Sequence, residues 1–219
     1  MRLPQPLSLL AIGHPGVDLS GLRSDLDDGL RVRAQVVEHI VWQYGRTGKA
    51  GSGFDQLNNP NSAELLSNGH ILIADENNNR VISVTRSHHI VWQYGSPTSS
   101  KLSGAAFASR LPGTHDTLIT DSNHNRVLIV TMKGKVVFDY ATNARKGSMA
   151  KPLPTRAVML RNGNILISDQ FNDQVIEINM HKRIVFAQGM VQADGASFNH
   201  LNAPYSAYVV GDFTGLTKS

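Results

Sequence analysis

The chain has 219 residues, 41% of them hydrophobic and 17% charged, with 19 glycines, 9 prolines and a formal charge of +4; this is the profile of a turn-rich folded protein rather than a disordered tail. It contains no cysteine, which excludes disulfides, thiolate nucleophiles and Cys-ligated zinc or iron–sulfur centres. The net charge suits an anionic partner, but the basic residues form no run, so they describe a mildly basic surface.

From the N-terminus, Met1–Gly13 carries one basic residue and a short apolar run broken by Pro4 and Pro6. The run is shorter than most signal-peptide cores, so the expectation is a cytoplasmic protein without a leader. No stretch reaches the ~20 apolar residues of a membrane span, and no membrane partner is expected. Next, Asp25 and the strand-like Leu30–Val36 stand 50 residues before the segment around Asp75. They align with the repeat that follows.

That repeat dominates the chain. Ile40-Val41-Trp42-Gln43-Tyr44-Gly45 returns letter for letter at Ile90–Gly95, and weaker copies lie at Lys135–Tyr140 and Arg183–Gly189. A second landmark, an apolar strand ending in Asp and followed by a polar turn, keeps the same step at Asp75, Asp121 and Asp169. A third runs Leu57-Asn58-Asn59-Pro60-Asn61-Ser62-Ala63, Pro154–Ala157 and Leu201–Ala207. Within the best-preserved unit the pattern predicts strands over Ala63–Leu66, His70–Ala74, Arg80–Thr85 and His89–Tyr94. Ser67-Asn68-Gly69 supplies a tight turn, and the last strand is β-branched and aromatic. A four-stranded antiparallel unit cannot bury both faces alone, so copies must stack around an axis.

The expected fold is therefore all-β: one small β-propeller domain over 1–219 with about four repeat units, near 1–45, 46–95, 96–142 and 143–190. Residues 191–219 form a closing or partial unit. Pairing of the N- and C-terminal strands would leave no open edge. An open array that pairs with a second chain stays open as an alternative.

Gly45, Gly48, Gly51, Gly53, Phe54 and Pro60, followed by Ala63, Asn68-Gly69, Ala74-Asp75 and Asn79-Arg80-Val81, resemble the NHL repeat almost position by position. The resemblance covers most of the chain from about Ser24, with the full pattern only around Leu57–Gly95. It implies a β-propeller, a fold used by some family members to bind protein or RNA and by others for enzyme chemistry. The chain departs from the pattern at Leu111-Pro112-Gly113-Thr114-His115-Asp116, and at Gln174, which stands where Arg80 and Arg126 stand.

Few residues suggest chemistry. Asp75, Asn79 and Arg80 recur as Asp121, Asn125 and Arg126, and in part as Asp169 and Asp173; repetition in every unit marks scaffold, with Asp and Asn bonding turn amides and Arg pairing between blades. Gly48–Gly53 has the glycines of a phosphate loop but no Gly-Lys-Ser/Thr ending and no helix behind it. The nine histidines show no His-Glu-x-x-His spacing, and His88-His89, read as strand residues, point to opposite faces. Trp42, Trp92, Phe138 and Phe186 recur with the blade and are expected to pack between sheets.

What individualises a repeat protein is where the repeat breaks. Just before and within the first strands these positions are Asn61, Ser62, Thr155, Arg156, Tyr205 and Ser206. They form the expected ligand-binding set at a channel mouth, with Arg156 as a holder for an anion or carboxylate. The expected function is binding or scaffolding for a protein or small polar ligand, with no cofactor and no metal. Two alternatives stay open: a metal-assisted hydrolase or lyase using channel-facing His and Asp, and RNA binding.

Overall fold

The computed structural model describes residues 40–211. The chain divides between Ile40 and Val41, and every strand below belongs to the unit that begins at Val41. Asp25 and the expected Leu30–Val36 strand lie outside the described residues.

Three four-stranded antiparallel sheets follow one another along the chain. The first contains β1 (Pro60–Leu65), β2 (Ile71–Asp75), β3 (Arg80–Val84) and β4 (Ile90–Gly95). The second contains β5 (Ala105–Arg110), β6 (Thr117–Asp121), β7 (Arg126–Val130) and β8 (Val136–Ala141). The third contains β9 (Arg156–Met159), β10 (Ile165–Asp169), β11 (Gln174–Ile178) and β12 (Ile184–Gln188). Each is a simple up-and-down meander, the build of a propeller blade. The described residues thus hold three complete blades where about four were expected, and the expected closing strand Pro204–Ala207 is not formed, nor is Val41–Gly45 a strand, so the three sheets are not closed among the described residues.

The hairpins close as their residues dictate. Gly69 and Gly163 take φ of 80° and 82°, which glycine reaches without a Cβ clash. Their N–H groups donate to the Leu66 and Leu160 carbonyls at 2.8 and 2.9 Å. The second blade instead uses the longer Leu111–Asp116 turn, closed by Leu111 N–H donating to the Asp116 carbonyl at 2.8 Å. Each second and third strand is joined by a single-turn 3-10 helix, Glu76–Asn78, Ser122–His124 or Gln170–Asn172, that ends on a left-handed residue, Asn79, Asn125 or Asp173.

All five residues of β2, β6 and β10 are buried: β6 has a sheet on each face, while the outer faces of β2 and β10 are covered by flanking residues such as Trp42 and Tyr44 or Val175 and Ala207. Period-two alternation then assigns each side chain to one interface. Leu72, Ala74, Val81, Trp92 and Tyr94 pack with Ala105, Ile119, Leu128 and Val130 between the first and second blades. Leu118, Val127, Ile129, Phe138 and Tyr140 pack with Ile165, Ile167, Ile176 and Ile178 between the second and third. On the other side of the first blade, Trp42 and Tyr44 lie with Ile71, Ile73, Ile82 and Val84. The aromatic positions behave as interface residues wherever a following blade exists: Trp92 and Phe138 are 8% and 6% exposed, whereas Phe186, with no following blade among the described residues, is 49% exposed.

The outermost strand of each blade carries a bulge. Ser83 pairs with Trp92 and Val84 with Ile90, which leaves Val91 without an opposite residue. The second and third blades do the same at Val137 and Val185. His88 and His89 precede this strand in a turn, where His88 has φ of 67°. The expectation that they are strand residues pointing to opposite faces is therefore corrected.

Candidate functional site

The aspartate that ends each second strand organises the end of the blade where connectors enter. Asp75 is fully buried; its Oδ1 accepts the Asn58 N–H at 2.7 Å, and its Oδ2 accepts Asn78 Nδ2 at 2.8 Å and Arg80 Nε at 2.7 Å. The other nitrogens of Arg80 donate to the Ser52 and Gln56 carbonyls, both at 3.0 Å, tying the glycine-rich connector to the blade. Asp121 repeats the scheme with Ser103 N–H, His124 Nδ1 and Arg126 Nε. The left-handed residues tie each blade to the segment that follows it. Asn79, Asn125 and Asp173 accept the N–H groups of Gly104, Leu153 and Ala203 at 2.8, 3.3 and 3.0 Å.

The third blade solves the loss of its arginine in another way. Gln174 turns to the Gly189 carbonyl at 2.8 Å, and Arg145, from the connector, brings its Nη2 to Asp169 Oδ2 at 2.5 Å. Pro152 occupies the place of Asn58 and Ser103, since its carbonyl accepts the Phe171 N–H as theirs accept those of Asn77 and Asn123. Proline has no N–H to give, and Asp169 Oδ1 is left without a hydrogen-bond partner. Burial raises the Asp169 carboxyl above its ordinary range, against the lowering effect of Asn172 and Arg145.

Five of the six residues singled out from the sequence fall into contacts at this same connector end. Tyr205 Oη donates to Asn61 Oδ1 at 3.1 Å across 144 residues of chain. Thr155 Oγ1 donates to the Tyr205 carbonyl at 2.7 Å, and Asn61 Nδ2 to Glu76 Oε2 at 2.9 Å. Arg156 packs against two aromatic rings, its guanidinium carbon 4.2 Å from the centroids of both Phe107 and Tyr208. Its Nε has no hydrogen-bond partner among the described residues, and burial lowers its pKa below the usual arginine range. Ser62 does another job: its Oγ accepts the Ala108 N–H of the next first strand at 3.3 Å. Ser206 is exposed and joins none of these bonds.

Sequence reasoning missed Phe107 and Tyr208, whose rings define the Arg156 slot, and it missed Glu64. Glu64 is buried on β1 and accepts the Arg110 N–H at 2.9 Å. Its carboxyl is pushed up to about 7, by burial against the lowering effects of the Arg110 N–H and charge. The available signal was its place two residues after Ser62 in Asn61-Ser62-Ala63-Glu64-Leu65, where period two puts both side chains toward the next blade. No group of three or more His, Asp or Glu able to hold a metal occurs among the described residues.

No family model matches the chain, and no curated protein matches it. Among solved structures, it is similar to the hydrazine synthase of Kuenenia stuttgartiensis, at 10% identity over 73% of this chain and 41% of that one, with a TM-score of 0.50. It is also similar to a virginiamycin B lyase from Staphylococcus aureus, at 17% identity over 64% and 46% of the two chains and a TM-score of 0.48. A streptogramin B lyase structure follows, at 14% identity over 59% and 40% and a TM-score of 0.45. The chain spans less than half the length of each of these. Such identities speak to fold alone, and the fold is that of a β-propeller module.

Proposed function

We propose that this module binds a protein or a small polar ligand at the connector end of its first strands, with Arg156 as the anchor for a carboxylate or similar anion. The observation that carries this reading is the slot itself. The Phe107 and Tyr208 rings both lie 4.2 Å from the guanidinium carbon, and a guanidinium held against aromatic rings offers its N–H edge for hydrogen bonds, an approach that suits a planar oxyanion. The Thr155–Tyr205–Asn61 chain of hydrogen bonds supplies polar groups of fixed position beside it, as a specific site requires.

We infer further, in line with the NHL-like pattern, that a fourth blade completes the ring. Pro204–Ala207 would supply its first strand and Val41–Gly45 its last, although neither segment is a strand among the described residues. Ala203 supports this, because its N–H reaches Asp173 Oδ1 with φ of 46°, repeating what Leu153 does on entering the third blade.

Isothermal titration with acetate, succinate, citrate and inorganic phosphate tests the site. The expected result is binding of at least one carboxylate that Arg156→Met abolishes and Tyr205→Phe weakens. Binding unaffected by Arg156→Met, or no heat with any of the four, counts against an anion site here.

A further inference from the structure

The strongest regularity outside that site lies at the opposite end of the blades. In every blade the turn before the outer strand is basic, and the strand opens with two exposed β-branched residues. Arg86, His88 and His89 precede Ile90-Val91; Lys133 and Lys135 precede Val136-Val137; His181, Lys182 and Arg183 precede Ile184-Val185. Met132 and Met180 add apolar surface at the same turns.

The exposure of these pairs belongs to the blade and not to a missing neighbour. Val91, Val137 and Val185 are 51%, 51% and 52% exposed. Loss of a following blade uncovers Phe186 but leaves Val185 like its two counterparts. The cause is the bulge: the extra residue has no opposite partner and is turned out of the sheet. A bulge repeated three times at a valine re-aims an apolar side chain to solvent each time. The same end carries Arg161 on the exposed first hairpin of the third blade, and the acids near it are engaged or half-buried. Glu177 accepts Asn162 and Asn164, and Asp116 is half-buried.

We propose that this turn end docks on an anionic lipid surface. The same basic and aliphatic corner recurs on all three blades, so an extended anionic surface suits the repeat, whereas a small ligand meets one corner. Aliphatic side chains inserted at the headgroup boundary, flanked by lysine and arginine, are the chemistry of interfacial membrane contact. The bilayer does not compete with the Arg156 site, which lies at the connector end, so either reading can fail without the other.

The test is co-sedimentation of the full chain with vesicles of pure phosphatidylcholine and of phosphatidylcholine with about 30% phosphatidylserine. The expected result is partitioning onto the anionic vesicles only, weakening as salt rises from about 0.05 to about 0.5 M. Two variants separate the contributions. Lys133→Glu/Lys135→Glu removes the charge of one corner, and Val91→Asp/Val137→Asp/Val185→Asp removes the apolar contacts at positions already half in water. Each is expected to weaken partitioning at least about tenfold while circular dichroism stays that of the parent. No partitioning at low salt, equal partitioning onto neutral vesicles, or a valine variant that binds like the parent would each overturn the proposal.

Discussion

Moving a guanidinium from the connector back into its own blade tests the account of the third blade directly. Asp169 is buried with hydrogen bonds from Arg145 and Asn172 at 2.5 and 2.7 Å, a further lowering effect from the Thr142 hydroxyl and a bare Oδ1, whereas both oxygens of Asp75 are bonded. Arg145→Ala leaves this carboxylate only neutral donors, Asn172 and Thr142. Removing one member of a buried pair costs roughly 3–5 kcal/mol. Because the Arg145 side chain is 17% exposed and Asp169 can take up a proton instead, about 2–4 kcal/mol is expected at pH 7. Gln174→Arg restores the residue that pairs with Asp75 and Asp121 at 2.7 Å in the other blades. In the parent it introduces a second guanidinium beside Arg145 and breaks the Gln174–Gly189 bond, so it destabilises. In the Arg145→Ala background it is expected to recover about half of the loss. Urea unfolding of the four proteins gives the coupling energy. The loss in Arg145→Ala should also shrink as pH falls, since Asp169 then folds protonated. An Arg145→Ala change within about 0.5 kcal/mol of the parent, or Gln174→Arg of the same sign in both backgrounds, would falsify the substitution of one arginine by the other.

Two further outcomes are expected. The Glu64 carboxyl, raised from 4.5 to about 7 on folding, holds its proton more tightly folded than unfolded. Its contribution is therefore intact below pH 4.5 and is lost as pH rises through about 7, by roughly 3 kcal/mol at most. Glu64→Gln should match the parent near pH 4.5 and exceed it in urea midpoint at pH 8; a difference that does not change with pH removes the explanation. Phe138→Ala should cost about 3–5 kcal/mol, as a buried aromatic does. If the proposed fourth blade covers the face of β12, Phe186→Ala costs the same. A cost under about 1 kcal/mol by the same urea assay would leave that face open in solution and refute closure.

Much of the blade was legible because its causes are local. Asn68-Gly69 and Asn162-Gly163 make tight turns wherever they occur, the apolar runs before Asp75, Asp121 and Asp169 make middle strands, and three of the four aromatic segments, spaced 46 to 50 residues apart, pack against neighbouring sheets, Phe186 being exposed. Part of the candidate site was legible too, since Asn61, Thr155, Arg156 and Tyr205 stand where the repeat breaks. Their grouping was not. The Tyr205–Asn61 bond spans 144 residues, and the Arg156 slot is built from Phe107 on another blade and Tyr208 on the following segment.

The sequence by itself determined the repeat, the strands and the aspartate-centred ties, because hydrogen-bonding turns and alternating burial depend on neighbours within one blade. Only the tertiary structure decided that Arg145 replaces the missing arginine at 174, that Pro152 leaves Asp169 short of a donor, and that Glu64 is a buried acid. Each depends on which side chain from a connector or neighbouring blade arrives at a given carboxylate. That is a matter of how stacked sheets pack, and spacing along the chain does not encode it.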